Sequence, residues 1–185
     1  MSKTQENLLK AFAGESMARN KYTLFAKQAR AEGLEWVARV FEETADNERA
    51  HAERELHFIE DQAEMTNTYN IHAVRKTIEN IKAAADGEKY EWGTMYPGFE
   101  KIAREEDQTE IADMFKEIGE VEEKHEERYL KLVKMLEDNI LFEAEEEVEW
   151  KCLNCGYIHN GKTPPDICPA CGKPHGWYMQ LNVLR

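Results

Sequence analysis

A chain of 185 residues has room for one full domain and a small appendage. Its 37 acidic residues against 24 basic ones leave a net charge of −13, which argues against nucleic acid and anionic membrane surfaces as partners because the phosphate term would be repulsive. No run approaches the roughly 18 apolar residues of a membrane helix, and the N-terminus has no signal-type apolar region, so a soluble cytoplasmic protein is expected.

Periodicity predicts a first helix over residues 4–32, ended by Gly33, with a stripe of Leu8, Phe12, Glu15, Arg19, Tyr22, Phe25 and Ala29. A second helix over 34–61 carries Val37, Phe41, Thr44, Glu48, His51, Glu55 and Ile59 in alternating steps of four and three. Residues 62–71 break the pattern and read as part of a long crossover. A shorter helix over 72–85 is expected to lead into a third over 86–106, with Pro97 tolerated as a kink. Its stripe is Ile81, Ala84, Glu88, Glu91, Met95, Phe99 and Ile102. A fourth helix over 109–137 carries Ile111, Phe115, Ile118, Glu122, His125, Tyr129, Leu132 and Leu136. The expected organisation is an all-α four-helix bundle over 1–142, an acidic solvated linker over 143–149 and a small metal-knuckle domain over 150–185.

An internal repeat supports the bundle. Moving the chain by 74 residues places Tyr22 on Tyr96, Phe25 on Phe99, Phe41 on Phe115, Glu48 on Glu122 and His51 on His125. Two helical hairpins of one design follow. Glu15 and Glu88 are 73 apart instead, so one extra residue lies between Glu88 and Tyr96, beside Glu91. An extra residue inside a helix is expected to form a π-bulge, a feature that favours functional sites. Glu91 would then have no counterpart in the first hairpin, and two metal positions would be inequivalent.

The most informative residues of these stripes are seven that stand where Leu or Ile is expected: Glu15, Glu48, His51, Glu88, Glu91, Glu122 and His125. Buried unpaired carboxylates are strongly destabilising, or neutralise themselves by large pKa shifts. Two cations make the same residues an asset. Two E-x-x-H pairs plus carboxylates on the other two helices form the donor set of a di-iron or di-manganese bundle. A single such pair would mean little, because exposed Glu and His neighbours are usually solvated. Here both pairs lie in the core stripe, are related by the repeat, and each hairpin adds a core Glu on its other helix. Charge favours redox work. Two ferrous ions against five carboxylates leave one net negative charge, and two ferric ions with a bridging oxide leave the same.

All four cysteines lie near the C-terminus, as Cys152-x-x-Cys155 and Cys168-x-x-Cys171, each pair followed by Gly. Two such knuckles give a tetrahedral tetrathiolate for zinc or a single iron, and spacing alone leaves that choice open. The segment is too small to fold on its own core, so the metal staples it, with Trp150, Tyr157, Trp177 and Tyr178 as its aromatic core. His57, His72, His159 and His175 read as surface or loop residues.

These pieces together resemble the rubrerythrin family over the whole length. The resemblance is carried by Ala13-Gly14-Glu15-Ser16 with Ala18-Arg19-Asn20, Glu48-x-x-His51, Gly87-Glu88-x-x-Glu91, Met95-Tyr96-Pro97, Glu122-x-x-His125, Cys152-x-x-Cys155-Gly156-Tyr157 and Cys168-Pro169-x-Cys171. It implies a ferritin-like bundle with a long crossover and a rubredoxin-like tail. It also implies two irons in a carboxylate-bridged site and one iron on the cysteines, where zinc can replace it in isolated protein. By position, Glu48 and Glu122 would bridge the irons, Glu15 and Glu91 would hold the first, and Glu88 and His125 the second. His51 would take the first iron when Glu91 lets go on reduction. Tyr22 and Tyr96 would donate to ligand carboxylates. The implied activity is reduction of hydrogen peroxide to water in oxidative-stress defence. Electrons would come from rubredoxin or an NAD(P)H-dependent reductase through the tail, in a homodimer or higher homo-oligomer. The alternatives are a ferroxidase handling iron, against which the one-electron tail argues, and a zinc-stapled scaffold.

Overall fold

The computed structural model describes residues 1–60 and 63–181. The first two stripes become α1 (Lys3–Ala31) and α2 (Glu35–His57), joined by a tight turn. After a crossover come α3 (Thr77–Tyr90), a π-helical turn (Glu91–Met95) and α4 (Tyr96–Glu105), which run on as one rod. The bundle closes with α5 (Thr109–Glu137). The four long helices make a ferritin-like bundle. No helix among the described residues is long and apolar enough to cross a membrane.

The repeat extends to the backbone. Leu34 N–H donates to Ala29 C=O at 2.9 Å, and Gln108 N–H donates to Ala103 C=O at 2.8 Å, 74 positions on. Each bond closes a Schellman-type helix end, and each end passes through the left-handed region, at Gly33 (φ 79°) and at Asp107 (φ 57°). It extends to the core as well. Tyr22 and Phe25 meet Phe41 at ring-centroid distances of 6.0 and 5.5 Å. Tyr96 and Phe99 meet Phe115 at 5.9 and 5.6 Å. These two aromatic plugs belong to separate apolar clusters.

Three expectations need correction. The second helix ends at His57 rather than running to 61, a residue outside the described ones. No separate helix occupies 72–85: residues 72–76 are not helical and the third helix starts at Thr77. Side chains decide that start. Asn80 clasps Arg75 from both sides, accepting its N–H and donating to its C=O, each at 2.8 Å. Glu32, from the end of α1, accepts the Thr77 N–H at 3.1 Å and so caps an otherwise orphaned donor. Pro97 lies in the first turn of α4, directly after the π turn. Its missing N–H falls where the bonding register changes, so no α-type bond is sacrificed there.

The tail is a three-stranded antiparallel sheet of order β2-β1-β3, from β1 (Val148–Cys152), β2 (Ile158–Gly161) and β3 (Tyr178–Gln180). His159 therefore lies in a strand and is half-buried, while His57, His72 and His175 are exposed as expected. The tail packs on the α1–α2 turn of its own chain. Arg39 donates to the Leu153 carbonyl at 2.9 Å, and Leu153 and Met179 rest against the bundle core. Gly176, in the short 3-10 turn before β3, abuts Gly33: a Cβ there would overlap the Gly33 carbonyl oxygen. Gly176→Ala is therefore expected to lift the tail off the bundle while each part keeps its fold and metal. Limited proteolysis in the 143–149 linker should accelerate with no change in the melting of the bundle.

Candidate metal centres

Helical register brings the inward carboxylates to one level of the bundle. Glu15, Glu48, Glu88 and Glu122 are each at most 1% exposed and His125 is 4% exposed. His51 and Glu91 are half-buried, the two most accessible of the seven. Two groups of donor atoms form. Glu15, Glu48, His51 and Glu122 make one, and Glu48, Glu88, Glu122 and His125 make the other, each with its donor atoms within 4.8 Å of one another. Glu48 and Glu122 belong to both, so the groups share an edge. Glu91 falls outside both.

The imidazoles lie among the carboxylates. His51 Nδ1 is 3.1 Å from Glu48 and 2.9 Å from Glu122. His125 Nδ1 is 2.6 Å from Glu122, 3.4 Å from Glu48 and 3.6 Å from Glu88. The His51–Glu48 contact has hydrogen-bonding geometry. Several close contacts do not: Glu15 Oε2, Glu48 Oε1, Glu88 Oε2, both Glu122 carboxylate oxygens and His125 Nδ1 are buried without a hydrogen-bond partner. Buried polar atoms in folded proteins are nearly always satisfied. Orphaned atoms concentrated on these shared donors fit a pair of cations as their missing partners.

Electrostatics agrees. Burial, and then the charges of Glu48 and Glu122, hold the Glu15 carboxyl well above its usual range. Burial and the charge of Glu88 do the same to Glu91. Burial pulls the His51 imidazole down, but the close Glu122 and Glu48 carboxylates outweigh it and push it up to about 10. His125 is likewise pushed up to about 12 against burial, chiefly by Glu122, Glu48 and Glu88. Protein protons take the place of cations here, so metal uptake releases them.

Two tyrosines hold carboxylates of the candidate donor groups across the bundle. Tyr22, on α1, donates to Glu88 on α3 at 2.5 Å. Tyr96, on α4, donates to Glu15 on α1. Each helix of the repeat orients the other's carboxylate. The Tyr96 oxygen also lies 3.0 Å from Glu55, a wholly buried carboxyl on α2. Glu55 is an inward acid outside the seven expected metal-site residues. It occupies an inward position four residues after His51, and the repeat places Tyr129 at the matching site, so the pattern carried the signal.

The π turn forms where the extra residue was located. The Tyr96 N–H donates five residues back, to the Glu91 carbonyl. Trp92 Nε1 donates to the buried Glu126 of α5 at 2.6 Å and pins the turn.

In the tail, Cys152 and Cys171 sulfurs are 3.7 Å apart and Cys155 and Cys168 sulfurs 3.8 Å. A tetrahedron of metal–sulfur bonds of about 2.3 Å has edges of about 3.8 Å, so the four thiols fit one ion. Gly156 (φ 79°) and Gly172 (φ 73°) make the left-handed turn that closes each knuckle. Trp150 and Tyr178 are buried beside the sulfurs, Tyr157 packs on them, and Trp177 lies under Lys173 instead.

Known proteins share this arrangement. A family profile described as Rubrerythrin matches residues 6–133, and one described as Rubrerythrin, rubredoxin-like domain matches 150–178. The chain is 47% identical over 183 residues to a rubrerythrin of Porphyromonas gingivalis, covering 98% of this chain and 92% of that protein. It is 41% identical over 183 residues to a rubrerythrin of Nitratidesulfovibrio vulgaris, covering 98% and 96%. A solved nigerythrin in a mixed-valence state superposes with a TM-score of 0.67 at 33% identity, covering 97% of this chain and 87% of that one. A bacterioferritin of Mycobacterium tuberculosis superposes with a TM-score of 0.66 at 18% identity, covering 75% and 90%, a likeness of fold alone. Paired carboxylate–histidine groups in a ferritin-like bundle, a four-cysteine knuckle and identity along nearly the whole length have one common explanation: the chain belongs to the rubrerythrin family, with a candidate di-iron site and a rubredoxin-like metal site.

Proposed function

We propose that this chain is a cytoplasmic peroxidase that reduces hydrogen peroxide to water, with a bundle over 1–142, a linker over 143–149 and an electron-relay domain over 150–185. The observation that carries this reading is the pairing of two ligand groups sharing Glu48 and Glu122 with a separate one-ion thiolate site in the same chain. The first suits a two-electron reaction, and the second suits delivery of single electrons. When bound, the iron pair supplies one electron from each ion to the peroxide bond.

The protein residues do the rest. Glu48 and Glu122 would be shared by the two ions, Glu15 and Glu91 would hold one, and Glu88 and His125 would hold the other. His51 and Glu91 would be the exchangeable holders of the first ion, a role supported by their being the least buried of the seven. Tyr22 and Tyr96 fix the orientation of Glu88 and Glu15, and the two aromatic plugs keep bulk water from the ends of the site.

The electron donor is a rubredoxin or an NAD(P)H-linked reductase. The tail rests at Gly33, 18 residues along the helix from Glu15, or roughly 27 Å at 1.5 Å per residue. Tunnelling weakens steeply over such a span, which favours transfer from the tail of a second copy within a homo-oligomer.

Two experiments test the proposal. Rapid mixing of reduced protein with peroxide and with dioxygen should show peroxide reacting much faster; the reverse order would point to a ferroxidase. Cys155→Ser should leave the single-turnover reaction of chemically reduced protein intact and abolish steady-state turnover with the donor. An unchanged steady-state rate would remove the tail from the electron path.

A further inference from the structure

Apart from Glu91 and its π turn, the two ends of the metal site are built alike except at one place. Around Glu88, Tyr22 donates a single hydrogen bond, and the neighbouring position on α5 is Tyr129. Around Glu15, Tyr96 donates, and the repeat-related position on α2 is Glu55. The Tyr96 oxygen thus lies within hydrogen-bonding distance of two carboxyl groups. One hydroxyl carries one proton. When that proton points to Glu15, the 3.0 Å contact with Glu55 is satisfied only if Glu55 carries a proton of its own and donates it to the tyrosine oxygen.

Burial points the same way. Glu55 is 0% exposed, and its second oxygen has no partner. It belongs to neither donor group, and no ion pair reaches it among the described residues. Tyr96 stands between it and Glu15. Two divalent ions against five ligand carboxylates already leave a net negative charge, so the loaded site has no cation to spare for a sixth.

We propose that Glu55 is a proton reservoir serving one metal position only, passing its proton through the Tyr96 hydroxyl toward Glu15. This rests on the peroxidase reading for its use. Reduction of one peroxide to two waters takes up two electrons and two protons, the electrons coming from the ferrous pair of that reading. Glu55 supplies one of the protons: its O–H bond breaks as an O–H bond forms on Tyr96, while the Tyr96 proton moves on to the leaving oxygen beside Glu15. Glu55 is left as a carboxylate and is reprotonated from solvent before the next turnover. Glu55 acts through Tyr96 and is a positioning residue for the proton, not a ligand. The groups facing it are Glu15 from α1, Glu48 and His51 from its own helix, Tyr96 from α4 and Glu122 from α5. Burial pushes Glu55 up to about 8 against the pull of its bond to Tyr96 and the charge of His51, consistent with a neutral acid at pH 7.

The test uses the full-length, iron-loaded protein and its Glu55→Gln variant. Infrared spectra at neutral pH should contain a protonated-carboxyl carbonyl band that the variant lacks and that disappears from the wild type as the pH is raised. Rapid mixing with peroxide should be slowed roughly 100-fold in the variant, at unchanged iron content, with the alkaline fall in rate of the wild type abolished. Tyr96→Phe should keep the carbonyl band and lose the rate, separating the reservoir from the relay. Identical infrared spectra for wild type and Glu55→Gln would show Glu55 ionised and overturn the proposal, as would an unslowed reaction in the variant. If the wild type does not react with peroxide, the peroxidase reading falls, while the infrared band still decides whether Glu55 holds the proton.

Discussion

Glu122→Leu is expected to change stability in opposite directions in the two forms of the protein. Stripped of metal, the variant should melt higher than the wild type. Glu122 is fully buried in both ligand groups, and both its oxygens lack hydrogen-bond partners. A buried acceptor left without a partner costs about 1–3 kcal/mol, and more when charged, so an apolar side chain of similar size removes a destabilising group. In a domain of this size each kcal/mol corresponds to roughly 2–4 °C. Removing one carboxylate strands neither imidazole: His51 keeps Glu48 at 3.1 Å, and His125 keeps Glu48 at 3.4 Å and Glu88 at 3.6 Å. With metal added, the order should reverse. The wild type gains stability by binding ions to its folded state alone, and the variant has lost the shared edge that holds the pair. Melting curves with and without chelator, alongside metal analysis, give both readings. A metal-free variant that melts below the metal-free wild type would show that the carboxylates do not repel, and the case for two cations would lose its foundation.

Deleting Gly93 should leave the bundle standing and impair the chemistry. In the first hairpin Tyr22 follows Glu15 by seven residues, nearly two full α-helical turns, so both side chains share a face. In the second, Tyr96 follows Glu88 by eight, and the π turn over Glu91–Met95 absorbs the excess. Without Gly93 the spacing becomes seven, the helix can run as unbroken α-helix, and Tyr96 still reaches Glu15. The deletion also removes an exposed glycine, the residue that loses most backbone entropy in a helix, so stability should not fall. Glu91 loses the place that the π turn provides and moves to the position that Ala18 holds in the first hairpin, and Trp92, bonded to Glu126 across the turn, shifts with it. Melting should therefore be unchanged or raised by a few degrees, with iron still bound. The reaction with peroxide should slow by about 10- to 100-fold, the usual penalty for disturbing the surroundings of a metal ligand. A collapse in melting temperature would mean that the π turn carries packing rather than function. Unchanged kinetics would remove Glu91 from the mechanism.

Stripes, repeat and cysteine spacing were legible from residue types alone because each is a local periodic property. An inward-facing position is set by residues three and four apart. A metal knuckle is set by residues within one turn. The extra residue beside Glu91 could likewise be counted, and a helix can absorb one surplus residue only by widening a turn. Glu55 shows where this kind of reading stops. Its stripe says that it points inward, but not that the Tyr96 hydroxyl waits there, because that contact joins residues 41 positions apart.

The amino-acid order by itself determined that four helices would turn charged side chains inward at matching levels, in two copies, ahead of a thiolate knuckle. Only the tertiary structure decided which of those groups meet. It placed His51 rather than Glu91 beside Glu15, began the third helix at Thr77 where Glu32 could cap it, and seated Gly176 on Gly33. Periodicity fixes direction along a helix. Partners, caps and docking depend on distances between segments far apart in the chain, and these exist only once the helices have packed.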